Sequence, residues 1–107
     1  MSKVKIRGKI VTPEKVWDKG DLLVEDGRIA AVGPADGAPA DVDLGDGWVV
    51  PGFIDVHVHG GAGADFMDAT AEAFAAIAEF HAKHGTTTLL ATTVTAPKDA
   101  VDRVLAA

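Results

Sequence analysis

The feature that most restricts what this chain can fold into is a change of hydrophobic period after Pro51-Gly52. Phe53 to His59 is a short apolar run that halts at Gly60-Gly61, the length and punctuation of a strand. From Thr70 to His84 the spacing becomes helical, with Ala73, Phe74, Ile77, Phe80 and His81 on one broad face. Thr70 is placed as the N-cap, Glu72 stands in the first turn where the helix dipole favours negative charge, and Gly85 ends the helix. Thr86 to Val94 is dense in β-branched residues and predicts a second strand; Pro97 then opens a helical segment that continues to Ala107. Strand, helix, strand, helix is the order of parallel βα units. A parallel sheet is covered on both faces and a closed (β/α)8 barrel takes about 250 residues. The expectation is therefore an α/β chain whose residues 51–107 hold the first two βα units of such a barrel, truncated relative to the domain they begin.

Residues 1–50 read differently. Val4 and Ile6 alternate with Lys3, Lys5 and Arg7, a period of two that sends apolar groups to one face. The basic row Lys3, Lys5, Arg7 and Lys9 is expected to be a solvated strand face. The runs 20–25 and 28–33 flank Asp26-Gly27, a dipeptide that accepts positive φ at both positions and so predicts a hairpin. Pro34 to Asp41 lacks periodicity and reads as a loop, and Asp46-Gly47 is a second turn signal ahead of Trp48-Val49-Val50.

Composition narrows the chemistry. With 48% hydrophobic and 24% charged residues the chain is of the globular class. It has no cysteine, so any metal must be held by His or carboxylate, and a reducing cytoplasm is the expected compartment. A formal charge of −6 opposes binding to nucleic acid. The opening MSKVKIRGKIVTPEK lacks the apolar core of a signal peptide, and no stretch approaches the ~20 apolar residues of a membrane span. Neither nucleic acid nor membrane is expected as a partner.

The chemistry concentrates at one strand end. Residues i and i+2 of a strand share a face, so Asp55, His57 and His59 point together, and the histidines lie at the carboxyl end, where barrel enzymes place catalytic groups. Two imidazoles aimed at one point suit a divalent metal, zinc or iron above all. Asp55 has two readings, orienting an imidazole through its second nitrogen or bonding nearby backbone. Gly60 and Gly61 are placed at the pocket rim, leaving room for a substrate. His81 and His84, three apart on the helix, are weighed as ligands, but His84 is better explained by the helix C-terminus. Asp65 and Asp68 are loop and capping residues, and Phe66 and Met67 core residues. The threonines at 86–88, 92, 93 and 95 follow strand propensity, with one near the strand's end placed to reach the site.

The run Pro51-Gly52-Phe53-Ile54-Asp55-Val56-His57-Val58-His59 resembles the entry motif of the amidohydrolase superfamily, and GDLLVEDGRIAAVGP resembles that superfamily's amino-terminal strands. The continuation, HGGAGADFMDAT and then FHAKHGTTTLLATTVTAP, is similar to the N-acetylglucosamine-6-phosphate deacetylases, over nearly the whole chain from about Val4 to Ala107. The resemblance implies that residues 1–50 supply part of a small β-sandwich. It implies one or two divalent metals per complete site, with His57 and His59 holding one. It also implies hydrolysis of the acetamide of an amino sugar phosphate by a full-length protein expected to be a homo-oligomer. The remaining ligands and the catalytic acid of the family come from later strands, so no catalytic residue is assigned within this chain and these residues alone are expected to be inactive. A dihydroorotase-like cyclic amidase and a non-catalytic fragment are the alternatives.

Overall fold

The computed structural model describes residues 2–107, which divide into two compact units between Pro51 and Gly52. The first unit is a four-stranded sheet. Its strands are β1 (Lys3–Val11), β2 (Val16–Glu25), β3 (Arg28–Pro34) and β4 (Val42–Val49), in the order β3-β2-β1-β4. β1, β2 and β3 are antiparallel neighbours, whereas β4 pairs parallel to β1. The Asp26-Gly27 hairpin forms as expected, with φ of 49° and 75° at the two turn residues. Asp41 leads the chain into β4: its backbone N–H donates to the Lys5 carbonyl at 2.9 Å, and its carboxylate accepts from Lys5 N–H at 2.7 Å.

Two expectations for this unit are corrected. Asp46-Gly47 does not turn the chain. Both residues lie inside β4, where the register with β1 shifts between Arg7 and Lys9 and Gly45 takes a φ of 55°, so the irregularity is absorbed within the strand. Nor is the basic row uniformly solvated, because Arg7 is only 8% exposed. Antiparallel pairing sets Arg7 opposite Asp21, and its Nε and one terminal nitrogen donate to the two carboxylate oxygens at 2.7 and 2.8 Å. Asp36, from the loop after β3, accepts from Lys5 Nζ at 2.7 Å and joins the pair through Arg7. Period two places basic side chains on one face, but it does not say which acids the neighbouring strand brings to that face.

This network makes stability depend on pH. The hydrogen bonds from Arg7 hold the Asp21 carboxyl far below the usual carboxylate range, and Lys5 lowers that of Asp36. A carboxylate with a depressed folded-state pKa contributes stability that is complete above its unfolded pKa of ~3.9 and is lost as pH falls towards the folded value. Urea midpoints are therefore expected to drop progressively as pH falls below about 4, and Asp21→Asn is expected to flatten that slope. An equally steep slope in the variant would count against the assignment.

The second unit contains β5 (Phe53–Val58), two-residue strands β6 (Gly60–Gly61) and β7 (Ala64–Asp65), a 3-10 turn (Phe66–Asp68), α1 (Ala71–Lys83), β8 (Thr86–Ala91) and α2 (Lys98–Ala106). β5 and β8 pair in parallel with α1 as the connection between them, the expected βα order. Thr70 caps α1 by accepting from Ala73 N–H at 3.2 Å, and Gly85 follows the helix with a φ of 91°. The core joins Val58, Phe66 and Ile77, with Phe74, Leu89 and Val104 packed against them; Ile77 is wholly buried. Asp65 and Asp68 form a reciprocal capping box on the 3-10 turn, and Phe66 is core, both as expected. β8 ends at Ala91 rather than Val94, because its partner β5 ends at Val58 and offers no further rungs.

Candidate metal centre

β5 is not a regular strand where the histidines lie. Asp55 pairs with Leu89 and Val58 with Ala91, so β5 carries one residue more than β8 across this interval and bulges through Val56-His57. A bulge re-aims side chains and leaves a backbone group without its ladder partner. Within the bulge the His57 N–H donates to Asp55 Oδ1 at 3.1 Å. Of the two readings of Asp55, the structure shows the backbone one; its carboxylate supports the bulge, and the imidazoles find other partners.

The two rings meet. Their Nε2 atoms are 3.2 Å apart and the ring planes cross at 83°. Two nitrogens bound to one tetrahedral ion at ordinary zinc distances would lie about 3.3 Å apart, a spacing that this pair matches. His59 is fixed by its other nitrogen, which lies 3.1 Å from the Thr92 carbonyl. A carbonyl oxygen only accepts, so Nδ1 carries the proton and Nε2 of the neutral ring is bare. In that tautomer His57 Nε2–H donates to His59 Nε2, a hydrogen bond that ligation of one ion by both rings would replace. This is the usual arrangement behind a metal-binding histidine. Thr92 is the threonine near the strand's end that reaches the site.

The other histidines stay apart from the pair. His81 Nε2 donates to the Gly60 carbonyl at 3.1 Å, and His84 Nδ1 donates to the Phe80 carbonyl at 2.8 Å, on the last turn of α1. Among the described residues no cluster of three or more His, Asp or Glu side chains forms a complete metal site. Gly60 and Gly61 are needed for packing: a Cβ on Gly60 would overlap the Ala64 carbonyl, and one on Gly61 would come within 3.0 Å of the Phe80 ring. They let β6 fold back on β7 and α1 approach, which brings the backbone after His59 under the control of His81.

Residues 48–107, which include the bulged strand and both imidazoles, match the sequence profile of the amidohydrolase family. The chain belongs to that family. An N-acetylglucosamine-6-phosphate deacetylase of Vibrio furnissii is 38% identical over 104 residues, covering 94% of this chain and 26% of that protein. An N-acetylgalactosamine-6-phosphate deacetylase of Escherichia coli O157:H7 is 37% identical over 102 residues, with the same coverage of each, 94% and 26%. Among solved structures, a variant N-acetyl-D-glucosamine-6-phosphate deacetylase of Mycobacterium smegmatis, in complex with N-acetyl-D-glucosamine-6-phosphate, superposes with a TM-score of 0.92. It is 37% identical, and the match covers 98% of this chain and 28% of that one. This amidohydrolase chain thus spans about a quarter of the length of the curated relatives it matches. Its mixed sheet and βα units correspond to the amino-terminal part of the deacetylase fold.

Proposed function

We propose that this chain forms part of a metal-dependent deacetylase that hydrolyses the acetamide of N-acetylglucosamine 6-phosphate to glucosamine 6-phosphate and acetate. The single observation that carries the reading is the His57-His59 pair, two Nε2 atoms 3.2 Å apart at the carboxyl end of a parallel strand, in a chain 38% identical to a deacetylase of that substrate. His57 and His59 bind one divalent metal, zinc or iron, through those atoms. Such an ion, when bound, polarises an amide carbonyl and lowers the pKa of water. The chain's own residues prepare the site. Asp55 stabilises the bulge that turns His57, and the Thr92 carbonyl sets the tautomer of His59. The small ladder at Gly60-Gly61 fixes the exit of the chain from the site.

Residues 51–107 belong in this reading to a (β/α)8 barrel and residues 1–50 to a small β-sandwich. The remaining ligands and the catalytic acid lie outside these residues, so the 107-residue chain alone is expected to be inactive. A cytoplasmic enzyme fits this reading, because the charge of a phosphorylated amino sugar keeps it from leaving the cell across a membrane. No helix among the described residues is long and apolar enough to cross a membrane.

The second reading, an N-acetylgalactosamine 6-phosphate substrate, is favoured by the 37% identity to the E. coli relative. The protein expressed from its whole reading frame should be assayed on both sugars and on dihydroorotate. The expected result is acetate release with the highest kcat/KM on the gluco substrate. A preference for the galacto substrate selects the second reading, and activity on the cyclic amide alone overturns both.

A further inference from the structure

Parallel strands normally exchange evenly spaced, slanted backbone hydrogen bonds. The last rung between β5 and β8 departs from this. Val58 N–H donates to the Thr92 hydroxyl, a side-chain group, at 3.2 Å, and that hydroxyl donates onward to the Leu90 carbonyl at 3.3 Å. The Thr92 side chain is thus inserted into the ladder where the bulge has pushed the strands out of step. Thr92 N–H completes the grip by donating to the Val58 carbonyl at 2.9 Å. Both the N–H and the carbonyl of Val58, a residue only 7% exposed, bond to Thr92, and the next residue in the chain is His59.

We infer that the Thr92 hydroxyl is a positioning group for His59. By filling the opened rung it locks the end of β8 against the end of β5, and so holds the Thr92 carbonyl on His59 Nδ1. That contact keeps the proton on Nδ1 and leaves Nε2 bare towards the metal. Valine has the size and branching of threonine without the hydroxyl, so Thr92→Val removes the bonds from Val58 N–H to the hydroxyl and from the hydroxyl to the Leu90 carbonyl and lets the two strand ends part. The Thr92 carbonyl then no longer stays within reach of the imidazole. The inference rests on the metal-centre reading, but its first consequence, the tautomer of His59, exists without metal.

The test uses the full-length protein labelled with 15N-histidine. In the metal-free wild type, the His59 nitrogen shifts should show a single Nδ1–H tautomer; in Thr92→Val they should move to a mixture of tautomers. Titration with zinc ion alone should give about tenfold weaker binding for Thr92→Val, the lower end of what is lost when a supporting hydrogen bond to a ligand is removed. Thr92→Ser should restore both readings, and Thr93→Val should change neither. If Thr92→Val does not fold, as judged by circular dichroism, Thr92→Ala is read in its place with the same expectations. An unchanged tautomer and zinc affinity in Thr92→Val, or failure of Thr92→Ser to restore them, overturns the inference. If no form binds zinc while the tautomer follows the hydroxyl as stated, the positioning role stands and the metal-centre reading falls.

Discussion

His59→Ala in the full-length protein is expected to lower kcat/KM for acetamide hydrolysis by about a thousandfold or more, equivalent to about 4 kcal/mol of lost transition-state stabilisation. The same variant should emerge from dialysis with less than half the wild-type content of zinc or iron. The two histidines are not equivalent. His59 is held by the Thr92 carbonyl, whereas His57 is exposed and its ring is oriented by its contact with His59. In the proposed metal centre, removing His59 would therefore delete one ligand and free the other. Removing His57 leaves His59 in place with its tautomer fixed, so His57→Ala should retain more metal than His59→Ala while still losing most activity. Metal analysis and steady-state kinetics on both variants decide the matter. Wild-type metal content and kcat/KM in His59→Ala would sink the metal-centre assignment.

What the sequence discloses about this site depends on how local the cause is. α1 is legible because its signals are all on the page of the chain: a cap at Thr70, a face through Ile77, a stop at Gly85. The Asp26-Gly27 hairpin is legible for the same reason. The nearness of His57 and His59 is expected from strand alternation, which is why the pair stands out before any coordinates, although the strand ends at Val58 and the meeting of the rings is set by the bulge and by Thr92. The bulge does not stand out, because it is a mismatch between two strands almost thirty residues apart and neither strand alone contains it. With the bulge hidden, the backbone role of Asp55 and the insertion of the Thr92 side chain stay hidden too. Arg7 shows the same limit in the first unit. Alternation assigns it a face, but Asp21 and Asp36 make that face an ion-pair network around a buried Arg7, and they arrive through tertiary pairing. Gly60 and Gly61 suggest room for a substrate by their size; what the sequence does not disclose is that a Cβ at either would meet the returning backbone or α1.

That close approach makes Gly60→Ala the substitution with the largest structural cost. The new Cβ would overlap the Ala64 carbonyl and sit 3.0 Å from the Asp65 Cα. Both obstacles are backbone, so no rotamer change relieves them, and the ladder pairing Gly60 with Asp65 must open. Opening it strains the bond from Phe66 N–H to the His59 carbonyl and the bond from His81 to the Gly60 carbonyl. Phe66 is 4% exposed and packs with Val58 and Ile77, so the damage reaches the core. A destabilisation of about 3 kcal/mol is expected, at the upper end for overpacking because backbone has to move. Gly61→Ala is the informative contrast. Its Cβ would meet the Phe80 ring and the His81 ring at 3.0 and 3.1 Å, and these are side chains, with Phe80 41% exposed and free to rotate. About 1 kcal/mol is expected there. Urea unfolding of the two variants beside wild type measures the difference, and metal titration of Gly60→Ala should show weakened binding, because the His59 peptide is displaced with the ladder. A Gly60→Ala protein as stable as Gly61→Ala would show that the two-residue ladder is not what holds the chain leaving His59.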